Sequence, residues 1–263
     1  MKLVWLFVLF LTAAGAHAEE SFLSWEELEK NFNEVSPHSK ILSHVECFFD
    51  HYGTKTFKLS PVENPEFYNR CESNSEINMT KKRVFAVVDY TVNSKEQRLF
   101  LIDRVTGKIS AMAVAHGRYQ AGFFNRTLEE NKNTVKDIRY YSNTVNSMAS
   151  SSGYFIGGQD YEADDFGRSL VIHGLEKDIN DNACERDVVV HKHFLVTKKK
   201  VYMSSSGCLM VSPRLIDHVI DLLRGKKGDD LKLESGGSLI FIYGPREEQW
   251  KEGTCPGAFT PVQ

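Results

Sequence analysis

The sequence predicts a mainly β fold with one good helix packed on it, behind a small helical N-terminal segment. Three observations carry this reading. Apolar runs of strand length follow one another from residue 83, namely R-V-F-A-V-V-D-Y, Q-R-L-F-L-I-D-R and K-I-S-A-M-A-V-A-H, with turn residues such as Thr106-Gly107 between them. Runs of the same kind return at G-Y-F-I-G-G, R-S-L-V-I-H-G-L, V-V-V-H and S-L-I-F-I-Y. In that half of the chain only 212–223 has strong helical period: Leu215, Val219 and Leu222, flanked by Ile216, Ile220 and Leu223, make one wide apolar face. Ser212 is a fitting N-cap, Pro213 a fitting first residue and Gly225 a natural stop.

The elements before and between these runs are read in order. Residues 1–18, M-K-L-V-W-L-F-V-L-F-L-T-A-A-G-A-H-A, have one lysine, an apolar run and a small-x-small end, the pattern of a secretory signal peptide. No later stretch reaches the roughly 20 apolar residues of a membrane span, so no span is expected and the product is read as exported. Residues 19–80 form the helical segment. Ser24 and Glu27 make a capping box before Leu28 and Phe32, Pro37 breaks the run, and Ile41, Leu42, Val45, Phe48 and Phe49 form a second stripe ending at Gly53. Residues 54–80 read as irregular, 118–152 as a long loop, N-D-N-A-C-E-R (180–186) as a short helix, and Lys198-Lys199-Lys200 as a solvated hairpin turn. A loop as long as 118–152 is more often functional than idle.

The 263 residues carry 32 basic and 35 acidic side chains, a formal charge of −3, which gives no argument for nucleic acid or an anionic membrane as partner. No His/Cys/Asp cluster has zinc-ligand spacing, so neither metal nor cofactor is expected. Five cysteines in an exported chain cannot all pair. Closeness in sequence favours a Cys47–Cys71 disulfide, with Cys184 and Cys255 as a weaker second pair, and leaves Cys208 as the free thiol.

Cys208 ends the small-residue loop Ser204-Ser205-Ser206-Gly207, and His191 ends a strand seventeen positions earlier. A thiol attacks a carbonyl as thiolate, and an imidazole within reach can take its proton. The Gly207 and Cys208 amides could then meet the developing oxyanion. His116, His173 and His193 remain alternatives for the base.

The strand with His191 and the S-S-G-C loop (205–208) resemble the active-site segment of the YkuD-type L,D-transpeptidases. The likeness extends over about 83–245, in order, through V-V-D-Y-T-V-N-S-K-E-Q-R-L-F-L-I-D-R-V-T-G-K, V-A-H-G-R, S-N-T, G-L-E-K-D-I-N-D-N-A-C-E-R and G-G-S-L-I-F-I-Y-G-P. This set is similar to the murein L,D-transpeptidase catalytic domain family.

The resemblance implies a β-sandwich with a packed helix over 81–247, followed by an irregular tail, 248–263. It implies Cys208 as nucleophile, His191 as base, Gly207 in the oxyanion hole and Ser205 bracing the loop, with Ser206, His116 and Gly117 on the substrate side. Peptidoglycan stem peptides would be the partner, met in the periplasm or cell wall by a monomer. Transpeptidation, L,D-carboxypeptidation and an inactive peptidoglycan-binding relative all fit these residues. The sequence departs from the family pattern at Lys192, Ser206, Leu209 and Met210, and no arginine adjoins Cys208.

Overall fold

The computed structural model describes residues 21–36, 38, 40–62, 71, 76–119, 133–227, 233–244, 259 and 261. The leader-like stretch 1–18 lies outside these residues. Among them no helix is long and apolar enough to cross a membrane.

Helix α1 (Trp25–Asn33) starts at the predicted box: Ser24 Oγ accepts from the Glu27 amide at 3.2 Å, and the Glu27 carboxylate accepts from the Ser24 amide at 2.9 Å. Helix α2 spans Ile41–Tyr52. Two short strands, β1 (Thr56–Lys58) and β2 (Glu76–Asn78), pair antiparallel where the sequence reads as irregular. Only Phe57 and Ile77 of these strands are buried, and one inward residue per strand is too short a signal for alternation to register.

The main sheet comprises β3 (Val84–Asp89), β4 (Leu99–Asp103), β5 (Ile109–Met112), β6 (Gly153–Ala163), β7 (Gly167–Gly174), β8 (Val189–Lys192), β9 (Leu209–Val211) and β12 (Leu239–Tyr243). A separate two-stranded ribbon joins β10 (Lys226–Lys227) to β11 (Leu233–Ser235). The eight strands lie in the order β5-β4-β3-β12-β6-β7-β8-β9, with parallel pairing only at β12–β3 and β8–β9. Both faces of the sheet are covered, which explains runs such as Phe85–Asp89 in which every residue is buried.

One face carries Val88, Leu101, Phe155, Ile172, Val190, Leu209 and Ile240, closed by α3 (Ile216–Leu223) through Ile216, Val219, Ile220 and Leu223. The other carries Phe85, Val87, Phe100, Tyr154 and Phe241 beneath α1 and α2. Phe48 of α2 stacks on Tyr154 at 5.1 Å and Phe32 of α1 meets Phe100 edge-on at 5.0 Å. Burying a phenylalanine fully stabilises by up to about 3 kcal/mol, so these rings fasten the N-terminal segment to the sheet.

The two ends of the sheet also meet. Beyond β5, the Ala113 amide donates to Lys198 O, Ala115 to Met210 O and Arg118 to Ser205 O, each at 2.9 Å, while Ser205 donates to His116 O at 2.8 Å. The sheet therefore curls around the core that α3 caps, and the mainly β, helix-packed architecture expected from the sequence is the one found.

Three local expectations are corrected. Residues 180–186 form hydrogen-bonded turns, not a helix. There the Asn180 side chain accepts from the Glu176 amide at 2.9 Å and donates to Ser152 O at 3.0 Å, so it competes with helical bonding. The last helix begins at Ile216, not at Ser212: Leu215 N donates to Ser212 O at 2.9 Å in a turn that redirects the chain from β9. Between the cysteine loop and this turn, L-M-V (209–211) is strand β9. Finally, Cys71 bonds Cys184 across 113 residues, not Cys47. Cys47 is disulfide-bonded elsewhere, and Cys208 is the free cysteine among the described residues. Pairing by sequence proximity fails because Cys71 packs with Val62, Val171 and Cys184 on the β7 side, away from α2.

Candidate active site

Cys208 sits at the corner where the loop 204–207 enters β9. In the parallel ladder Val190 pairs with Leu209 and His191 with Met210, so Cys208 falls beside Val189, two residues before His191 along the neighbouring strand. Gly207 has φ +125°, and a Cβ there would stand 2.9 Å from Ala149 O. Only glycine makes this corner without strain.

A hydrogen-bonded clamp holds the corner. The Ser205 hydroxyl donates to Cys208 O at 2.6 Å and accepts from the Gly207 amide at 3.1 Å. The Ser150 hydroxyl donates to Gly207 O at 3.1 Å and accepts from the Gly117 amide at 2.9 Å. Gly117 forms a bridge with Ser205, so the end of the β5 extension, the 142–151 loop and the cysteine loop meet at one point. Of the residues singled out in the sequence, Ser205, Gly207, Cys208, His116 and Gly117 are thus brought together, whereas the Ser206 side chain faces solvent. The Gly207 amide, expected to face an oxyanion, is engaged here by Ser205 Oγ.

The thiol is half-buried and donates to Asp187 O at 3.3 Å. Burial pushes it up to about 11, and the Asp187 carboxylate adds to the rise. The amides of Val189 and of Cys208 itself, with the Arg186 guanidinium, pull in the opposite direction.

His191 is buried, and burial holds its imidazole below the ordinary value. Its Nδ1 lies 3.0 Å from Lys192 O and its ring packs on Phe166 at 4.3 Å between centroids. A carbonyl only accepts, so Nδ1 carries the proton and the lone pair is on Nε2. That is the tautomer a base needs, but no hydrogen bond joins His191 to Cys208.

The other histidines have distinct settings. His116 is buried, its Nδ1 accepts from Arg98 Nη2 at 2.6 Å and its Nε2 donates to Thr134 O at 2.9 Å. Burial and the adjacent guanidinium lower it to about 3. What His116 offers the loop is its backbone carbonyl, bound by Ser205. His173 is buried on β7, its Nε2 has no partner, and burial lowers it to about 4. His193 stacks on Phe194 at 4.6 Å, and its Nδ1 accepts from the Leu195 amide at 3.1 Å.

Sequence reading missed Ser150, Tyr90 and Arg186. Tyr90 is buried, donates to Ala115 O at 3.1 Å, and burial pushes its phenol up to about 12. Arg186 supplies the cation that no residue adjoining Cys208 in sequence provides. Its one sequence signal was its place in the N-D-N-A-C-E-R segment, which does not reveal that the turn folds back to the thiol. Among the described residues no group of three or more His, Cys, Asp or Glu side chains is placed to hold a metal ion.

No curated protein is similar enough in sequence to match. Solved structures with a similar arrangement include the helical cell shape determining protein Pgp2 of Campylobacter jejuni (9% identity, TM-score 0.36, covering 65% of this chain and 51% of that one). Others are L,D-transpeptidase 1 of Mycobacterium tuberculosis (9%, 0.28, 61% and 62%) and Bd1075 of Bdellovibrio bacteriovorus (11%, 0.32, 71% and 52%). The chain spans about half the length of Pgp2 and of Bd1075. The family model described as the L,D-transpeptidase catalytic domain matches residues 60–228, which take in the whole corner, the 142–151 loop and His191. A match over that much of the chain shows that the chain belongs to the L,D-transpeptidase catalytic domain family.

Proposed function

We propose that this protein is an exported cysteine acyltransferase of peptidoglycan. Cys208 attacks the carbonyl of the L-configured third residue of a stem tetrapeptide, and the bond to the terminal D-Ala breaks. His191 Nε2 takes the thiol proton and returns it to the departing D-Ala amine. The thioester is then resolved by an amine of a neighbouring stem, which forms a cross-link and frees the thiol. Water in place of the amine gives an L,D-carboxypeptidase. The observation that carries the reading is the free Cys208, held by the Ser205–Ser150 clamp on the strand beside His191, in a chain of this family. Residues 1–18 provide the route of export.

A thiol raised to about 11 facing an imidazole lowered from its ordinary value does not ionise spontaneously at neutral pH. Proton transfer to the Nε2 lone pair therefore accompanies attack. The same facts favour a second reading, a peptidoglycan-binding relative without turnover. Incubation with purified disaccharide-tetrapeptide followed by mass spectrometry separates them. Cross-linked dimer or tripeptide, absent with Cys208→Ala, is expected. Neither product from folded protein that still binds the muropeptide would leave the second reading.

A further inference from the structure

Arg186 sits in the turn before β8, and its bonds run to the loop that holds the nucleophile corner. Nη1 donates to Ser142 O and to Ser151 Oγ, both at 2.6 Å, and Nη2 donates to Ser147 Oγ at 3.1 Å and Ala149 O at 2.5 Å. Ala149 O is the atom that crowds Gly207, and Ser150 holds Gly207 O. On its other side, Asp187 O accepts the Cys208 thiol. All four of its acceptors are neutral, and among the described residues no carboxylate forms an ion pair with it. The guanidinium is half-buried and its Nε is buried with no hydrogen-bond partner; a cation drawn partly out of water without a counter-charge carries a cost, and a neutral amide could staple a loop. The charge calls for an anion that appears only during reaction.

We propose that Arg186 is the positioning residue of the thiol site: its charge is balanced when the Cys208 sulfur loses its proton, and its four bonds hold the 142–151 loop against the Gly207 corner for that step. This deepens the cysteine reading above and rests on it. The two groups act on each other accordingly. Burial lowers Arg186 to about 10 while the sulfur raises it, and Arg186 lowers Cys208 against burial.

The test is the pH profile of Cys208 alkylation by iodoacetamide in folded protein. Arg186→Gln removes the charge and should move the midpoint up by about one unit, with roughly tenfold slower alkylation at neutral pH. Arg186→Lys should keep the parent midpoint while losing thermal stability through its missing loop bonds. Ser147→Ala, which removes one bond and no charge, should behave like Arg186→Lys. A folded Arg186→Gln whose profile overlays the parent overturns the proposal and leaves a loop staple. Should Arg186→Gln fail to fold, Arg186→Lys decides: a midpoint more than about half a unit above the parent overturns the proposal, and an unmoved midpoint supports it. Alkylation needs no wall substrate, so a parent that leaves tetrapeptide untouched refutes the acyl transfer without touching this coupling.

Discussion

Acidification from pH 7.5 to 5.5 should cost this protein about 3 kcal/mol of stability, and two buried histidines account for it. His116, against Arg98, is lowered to about 3 and His173 to about 4. A group whose folded value is depressed contributes stability above its unfolded value, which is lost as pH falls toward the folded one. An unfolded histidine titrates near 6.5, so at pH 5.5 it is about ten-elevenths protonated while these two stay neutral, which costs about 1.4 kcal/mol each. Both folded values lie well below 5.5, so the figure depends on the unfolded value alone. His191 shifts in the same direction and adds to the loss. Asp103 and Asp160, held below the usual carboxylate range chiefly against the opposing effect of burial, lose their contribution only at more acid pH. Glu46, raised by burial, acts weakly in the opposite sense. Equilibrium urea unfolding with the disulfides intact measures the difference at the two pH values. His116→Gln and His173→Gln should each remove about half of the pH dependence. An unchanged loss in the double variant, or a flat parent profile, would refute the reasoning.

Peptide mapping of the oxidised protein should find Cys208 alkylated without reduction and the Cys71 and Cys184 peptides joined. Replacing Cys71 and Cys184 by serine opens a loop of 113 residues, and chain entropy sets the loss on the order of 5 kcal/mol, measured by thermal unfolding. Gly207→Ala forces a Cβ against Ala149 O at φ +125°. It should destabilise by about 1–3 kcal/mol and slow Cys208 alkylation, whereas retention of parent Tm and rate would show the corner to be pliant. His191→Ala should lower turnover by about 10²–10⁴-fold with little change in Tm, and His173→Ala should leave turnover of the folded fraction intact. The opposite pattern would move the base to β7.

The parts of this molecule that alternation and helical period encode were legible in the sequence. Buried strands such as Val84–Asp89 and Leu239–Tyr243, the Ser24–Glu27 box, and Cys208 as the unpaired thiol all follow from local pattern. What could not be read are relations between distant segments. The partner of Cys71 depends on which side of the sheet Cys71 itself packs. The approach of Arg186 to the thiol depends on a turn built by the Asn180 side chain, whose residues resemble a helix start when taken alone. The Ser150 clamp falls in a loop without periodicity, where Gly117, Ser150 and Gly207 meet only once the sheet has curled. His191 illustrates a third limit, since its strand and tautomer suit a base while its rotamer depends on packing against Phe166.

The meeting of the two sheet ends has a consequence for how the thiol can fail. Most enzymes can lose a mobile active-site loop to local fluctuation while the scaffold stays shut. Here the amides of Ala115, Arg118 and Ser205 weld the sheet's ends directly beside the cysteine corner, so loosening the corner exposes two unpaired strand edges at once. Amide exchange at these three positions should then proceed at the rate of global unfolding, and the nucleophile should be either fully set or attached to a chain that has come apart.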